Sequence, residues 1–243
     1  NRGGEALIDA IRRVEDRIKD EINGVNELLN DMKVLNERIS DSDAVTGPAD
    51  LMDARDALAE TLADKIGVEV DYQANGQLTL FVGGHAIVQE VHVRELDSSG
   101  SFGKLSIKMS AGSGSVTVDE VIRGELGGLL RARDQMGTTL SSLDTFAEEF
   151  VDEINAQHSS GFDAFGAPGL DFYTIPGAAT NASTDMALDA GLAADTSLIA
   201  AAGLPSAEVG DGDNLQNILD VEDNALFSGG TQNSREFISS LYS

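Results

Sequence analysis

A chain of 243 residues is long enough for one large or two modest domains with a hydrophobic core. Its 42 Asp and Glu against 16 Lys and Arg give a formal net charge of −26, which repels DNA, RNA and anionic membrane surfaces alike. The absence of cysteine excludes disulfides, zinc–thiolate sites and thiol nucleophiles.

No basic run offsets the acids, since Arg12-Arg13 and Arg131 with Arg133 are diluted by neighbouring carboxylates. The charge therefore reads as solubility and as repulsion between copies, which an assembly contact must overcome. No apolar run approaches the roughly 18–20 residues that span a bilayer, so membrane insertion is not expected. No cleaved signal peptide is visible, and a chain that begins at Asn1 reads as an excised piece.

From Glu5 to Ser40 the apolar residues Leu7, Ile11, Val14, Ile18, Ile22, Val25, Leu29, Met32, Leu35 and Ile39 recur about once per helical turn. This predicts one long amphipathic helix. Asp41 to Gly47 reads as a loop, with Gly47-Pro48 as cap and first-turn proline of a second helix. Leu51, Leu58, Leu62 and Ile66 form that helix's stripe, and Gly67 ends it. The short loop predicts antiparallel neighbours.

After Gly67 the period switches to two. Val68 to Tyr72, the turn Asn75-Gly76 and Leu78 to Val82 predict a hairpin. Gly83-Gly84 turns the chain again into Ala86 to Val88, and Val91 to Val93 stays extended. Residues 98–103 read as a Ser/Gly loop, Lys104 to Met109 alternates once more, and Ser115 to Val118 adds a last strand.

Residues 124–158 predict the spine of the fold. Leu126, Leu129, Arg133, Met136, Leu140, Leu143, Ala147, Phe150 and Ile154 alternate by three and four, an apolar seam broken at Arg133. Such a helix is about 50 Å long, and burial of a seam residue such as Leu140 contributes about 1.5–3 kcal/mol. His158 is expected to interact with its C-terminus. A short helix is expected at Asp195 to Ala202. Asp213 or Asn214 is expected to cap another through Leu215, Ile218, Leu219 and Leu226, and a last one begins at Ser234 and runs towards Tyr242.

These segments predict an α+β, mainly α fold: an elongated antiparallel bundle of long helices with a small inserted antiparallel β unit. The bundle takes residues 1–67, 119–162 and 207–243, and the β unit residues 68–118. Residues 163–206 form a loop-rich connection with a short helix.

Chemistry is sparse. The nucleophile elbow, Walker loop, dinucleotide fingerprint and paired metalloprotease histidines are all absent. His85 and His92 lack a third ligand at metal spacing and read as surface strand residues. Glu148, Glu149, Asp152 and Glu153 read as a solvated face of the long helix. Asp211, Asp213 and Asn214 resemble a fragment of a calcium loop, without the bidentate Glu such a loop needs, and read as a turn and cap. Asp163 and Asp171 are similar. Arg55, between Asp53 and Asp56, is expected to reach a carboxylate for structural reasons. No catalytic, cofactor-binding or metal-binding residue is assigned.

Three stretches together resemble one family, the flagellar hook-associated protein 1 family. The first is Ala49-Asp50-Leu51-Met52-Asp53-Ala54-Arg55-Asp56-Ala57-Leu58, running on to Ile66-Gly67-Val68-Glu69-Val70. The second is the long helix, with Gly124-Glu125-Leu126-Gly127-Gly128-Leu129-Leu130 at its entrance and Glu153-Ile154-Asn155-Ala156-Gln157-His158 at its exit. The third is the loop Gly161-Phe162-Asp163, Gly166, Gly169 and Asp171-Phe172-Tyr173, followed later by Gly212-Asp213-Asn214 and Gly229-Gly230-Thr231. Against the family pattern, this piece is expected to lie between the hydrophobic terminal segments that polymerise, and its run after Tyr173 is short where many relatives carry a β-rich insertion.

The resemblance implies a non-enzymatic adapter joining hook to filament. Such a protein is exported by the flagellar type III apparatus without a cleaved signal peptide and lies outside the cell. Implied partners are copies of itself in a ring, hook protein, a second junction protein and an export chaperone at the absent C-terminus. Nucleic acid is not among them, and the fragment alone is expected to be monomeric. The alternatives are another flagellin-like axial protein, a secreted binding or adhesion module using residues 68–118, or a glycosidase built on a carboxylate pair.

Overall fold

The heptad spacing of the first segment produces a single helix, α1 (Arg2–Ser40). Its buried positions step by three and four without interruption: Ile8, Ile11, Glu15, Ile18, Ile22, Val25, Leu29, Met32, Asn36 and Ile39. Leu7, Val14 and Leu35, expected in that row, lie half-buried on its flank. At Val14 and Leu35 the displacement arises because the true row contains two polar residues, Glu15 and Asn36, which periodicity in apolar residues passes over.

The computed structural model describes residues 2–41, 48–74, 76–176, 181–206, 210–227 and 230–241. The predicted loop at 42–47, Asn75 of the expected turn, Gly229 and Tyr242 lie outside them. Helix α2 (Ala49–Ile66) begins one residue after Pro48, which stands at the cap rather than in the first turn. Its buried row is Arg55, Ala59, Leu62 and Ile66.

Seven strands follow in two antiparallel sheets. One has the order β1 (Glu69–Tyr72), β2 (Leu78–Val82), β3 (His85–Gln89), β4 (His92–Val93). The other has β5 (Leu96–Ser99), β6 (Ser106–Ala111) and β7 (Gly114–Thr117). Gln73 N–H donates to Gln77 O at 2.9 Å, which extends the pairing of the first hairpin beyond Tyr72 and Leu78. Gly83 and Gly84, with φ of 55° and 79°, close the second where Val82 faces His85. Two positive φ values in succession form the two-residue turn whose twist suits a hairpin. Ser98 and Ser99, expected in a loop, pair with Ile107 and Ser106.

Helix α3 (Gly124–Ser160) follows the predicted seam. Leu126, Arg133, Leu140, Ala147 and Ile154, spaced by seven, are buried, whereas Leu129, Met136, Leu143 and Phe150 are half-buried. The remaining elements are short: β8 (Tyr173–Thr174), α4 (Ala182–Asp185), β9 (Ala187–Leu188), α5 (Ala190–Ala194), α6 (Asp213–Asp220) and α7 (Ser234–Ser240). The helix expected at 195–202 is instead a single 3-10 turn, Thr196–Leu198, capped by Asp195, after which Ile199 is extended. Helix α6 stops at Asp220 and so excludes Leu226.

The chain forms two compact units, one of Asp9–Gly137 and one of Asn1–Ile8 with Thr138–Ser243. In the first, Lys65 of α2 reaches Glu21 of α1, while Gly76 lies against both Ile39 and Met52. Those pairs place α1 and α2 antiparallel. Arg17 pairs with Glu125 at 2.6 Å, and Lys65 lies 3.7 Å from Glu125, so four charges join α1, α2 and α3. The hydrogen bond to Glu21 raises the Lys65 pKa, and Arg17 lowers that of Glu125. Beneath them Ile22, Leu29 and Met32 of α1 pack in one core with Leu62 and Ile66 of α2, Leu80 and Ile87 of the first sheet, Ile107 of the second, and Leu126.

The polar residues in these buried rows all bond main-chain groups of the β region. Asn36 donates to the carbonyls of Leu78 (2.9 Å) and Glu90 (3.0 Å), and its Oδ1 accepts the Leu78 N–H at 3.0 Å. Asn26, half-buried on the same helix, holds Leu96 in the same two-bond manner, at 2.8 and 2.9 Å. Glu15 accepts the Gly103 N–H at 2.8 Å. Arg55 donates to Gly76 O and to Asp56, and its guanidinium lies over the Tyr72 ring. Arg133 donates to Leu105 O and pairs with Asp134 at 2.7 Å. The break in the α3 seam at Arg133 is therefore a point of attachment.

Removing Asn36 strands buried donors and acceptors, at about 1–3 kcal/mol for each unsatisfied group. Asn36→Ala is expected to lower unfolding stability by about 2–4 kcal/mol. Asn36→Asp, which turns an acceptor towards two carbonyls, is expected to cost more than the alanine at neutral pH. Urea denaturation midpoints check both, and an aspartate variant as stable as wild type would contradict the assignment.

Candidate functional site

The densest set of specific side-chain contacts lies where α3 ends and the chain turns back. His158, in the last turn of α3, is fully buried. Its Nε2 accepts the Ala200 N–H at 2.9 Å, which leaves Nδ1 as the donor to Leu170 O at 2.6 Å. It therefore acts as a neutral spacer between two loops, and not as a charge at the helix end. One turn earlier Asn155 accepts the N–H groups of Phe172 and Tyr173, both at 2.8 Å, and donates to Tyr173 O at 2.9 Å. Phe172 stands edge-on to His158, with 5.1 Å between centroids.

Asn214 closes the node from α6. Its Nδ2 donates to Ala200 O at 2.6 Å, and its Oδ1 accepts from Gln157 at 2.7 Å. Two glycines make this approach possible. A Cβ on Gly161 would lie 2.0 Å from the Asn214 amide, and one on Gly169 would lie 2.2 Å from His158 O. Asp163 accepts the N–H groups of Phe165 and Ala167, both at 2.8 Å. Asp171 is exposed.

The other candidates separate. His85 and His92 are exposed on β3 and β4. Asp211 accepts the N–H groups of Gly203 and Asp213, so the turn is made by Asp211, and neither Asp213 nor Asn214 caps α6. Arg55 reaches a carboxylate as expected, that of Asp56. Glu148, Glu149 and Asp152 are exposed, and Glu153 is half-buried. No cluster of three or more His, Asp or Glu side chains suited to a metal ion occurs among the described residues. Sequence reasoning missed the roles of Asn26, Asn36 and Asn155, because a lone amide carries no spacing signal.

Long helices that hold loops and strands by their main chain, with small antiparallel sheets, define a mainly helical α+β protein. The family described as the flagellar hook-associated protein FlgK helical domain matches residues 2–173. The chain belongs to this family. It is 33% identical over 180 residues to flagellar hook-associated protein 1 of Salmonella typhimurium, an overlap of 70% of this chain and 32% of that protein. It is 31% identical to the Escherichia coli K12 protein of the same name, over 70% of this chain and 33% of that protein. The solved structure of the flagellar hook junction protein FlgK from Burkholderia pseudomallei is similar, with a TM-score of 0.64 and 26% identity over 71% of this chain and 33% of that one. The chain thus spans about a third of the length of these relatives.

His158→Ala removes one donor and one acceptor from a fully buried site and is expected to destabilise the chain by about 2–3 kcal/mol. His158→Gln, which keeps an amide near both partners, is expected to recover part of that. Thermal unfolding followed by circular dichroism checks the order, and an alanine variant melting with wild type would remove His158 from the node.

Proposed function

We propose that this chain is the helical domain of a junction protein that joins hook to filament in the bacterial flagellum, and that it works without catalysis. The observation that carries this reading is the family match across residues 2–173, which takes in α1, α2, both sheets, α3 and the exit loop. The physical support is that the motifs of the resemblance are occupied by residues that fix geometry. Arg55 with Asp56 holds the first hairpin, and Asn155, His158, Gly161 and Gly169 hold the exit loop. Side chains fully engaged with main-chain groups are suited to carrying load and ill suited to acid–base chemistry, which needs a group free to exchange a proton with a substrate.

On this reading the longer protein leaves the cell through the flagellar export apparatus and assembles as a ring of copies. Its neighbours are hook protein and a second junction protein, and an export chaperone holds it beforehand. The domain contributes stiffness: helices gripping sheets by hydrogen bonds transmit torque with little give.

Deletion of the whole gene tests the proposal. The expected phenotype is intact hooks without filaments, with unpolymerised filament subunit in the medium, restored by the gene in trans. Normal filaments on the deletion strain would overturn it.

A further inference from the structure

The charge of −26 is not spread evenly. Asn1–Ile8 with Thr138–Ser243 carry eighteen carboxylates against two guanidiniums, Arg2 and Arg235. Asp9–Gly137 carry twenty-four carboxylates against fourteen Lys and Arg. Among the described residues the ion pairs divide in the same way. Eight lie within Asp9–Gly137, and the other unit has one, Arg235 with Glu222 at 2.8 Å.

Several carboxylates of the acidic unit are used as acceptors for main-chain N–H groups. Asp144 accepts from Ser183, Asp189 from Gly191 and Leu192, Asp195 from Ser197, and Asp163 and Asp211 from the loops described above. Such bonds satisfy the carboxylate oxygens from within the unit's own main chain, with no cation beside them. The hydroxyl and N–H of Ser197 lower the Asp195 pKa. Charge is placed unfavourably as well. Asp220, Glu222 and Asp223 follow one another at the negative end of α6, and helices α4, α5, α6 and α7 have no basic residue in the last turn. Glu148, Glu149 and Asp152 add an exposed acidic face to α3.

Self-repulsion of this kind destabilises a compact state unless mobile ions screen it. The screening length falls from about 10 Å at 0.1 M salt to about 3 Å at 1 M. We propose that the unit of Asn1–Ile8 and Thr138–Ser243 is folded conditionally on ionic strength, with dissolved cations supplying the compensation that its own sequence omits. The protein is accordingly built to work in a saline medium. The unit of Asp9–Gly137, which carries its own cations, does not share the requirement.

Hydrogen–deuterium exchange read by mass spectrometry on the intact chain at neutral pH tests this unit by unit. Between about 20 mM and 1 M NaCl, peptides from 145–158 and 213–220 are expected to gain about tenfold or more in protection, and peptides from 78–89 to change about threefold or less. Equal responses, or no response in the acidic unit, would overturn the proposal. MgCl2 at matched ionic strength is expected to follow the same curve. Saturation at low millimolar magnesium would instead show a bound ion and refute diffuse screening. A variant carrying Glu148→Gln, Glu149→Gln and Asp152→Asn is expected to be better protected at low salt and less responsive, and an unaltered response would count against the proposal.

Discussion

The fold of Asp9–Gly137 depends on a small number of polar side chains set into otherwise apolar helical rows. A sheet that meets a helix buries main-chain groups, and each buried N–H or carbonyl needs a partner. Asn36 supplies three bonds from a site with no solvent exposure: two to Leu78 and one to the carbonyl of Glu90. Glu90 is the non-glycine residue with positive φ among those described, at 55°, so the same amide also steadies a turn that its side chain disfavours. Asn26, Glu15, Arg55 and Arg133 repeat the arrangement at Leu96, Gly103, Gly76 and Leu105. Hydrophobic burial drives these helices and sheets together. The polar insertions decide which strand meets which turn of helix, because a slip of one residue leaves several buried groups unpaired.

The same logic governs the exit of α3, with different residue types. His158, Asn155 and Asn214 bond loops instead of strands, and the loops approach closely because Gly161 and Gly169 lack side chains. This gives a physical reason for the motifs by which the chain resembles its family. They sit where helices are tied to irregular chain, and a change at any of them disturbs several bonds together. For a domain whose proposed work is to keep its shape under load, maintaining such ties is itself the function.

Much of the architecture was legible from periodicity. The three long helices, the Gly83-Gly84 hairpin and the strands around Leu80 and Ile107 follow from patterns of 3.6 and 2 acting on apolar residues. What escaped were the positions where polar residues occupy apolar places. Glu15 and Asn36 fall outside an apolar pattern by their chemistry, so that pattern takes in their neighbours Val14 and Leu35 instead. Strand β5 was hidden in a Ser/Gly stretch because its pairing comes from β6 and from Asn26, neither of which is local. The segment after residue 176 resisted for a related reason. Its elements are two to eight residues long and are set by Asx turns and long-range bonds, so no period has room to develop. His158 looked like a helix-end charge because the sequence does not reveal that Ala200 will lie 2.9 Å away.

The most direct measurement is residue-resolved amide exchange by NMR at Leu78 and Leu96. Both amides are donors to helix asparagines in preference to cross-strand carbonyls. If those side chains hold the sheets, the two amides exchange as slowly as the amides of Leu29 and Met32 within α1, through the same global opening. Exchange at Leu78 and Leu96 that is orders of magnitude faster, with α1 still protected, would mean that the sheets open independently of the asparagines and would contradict this account.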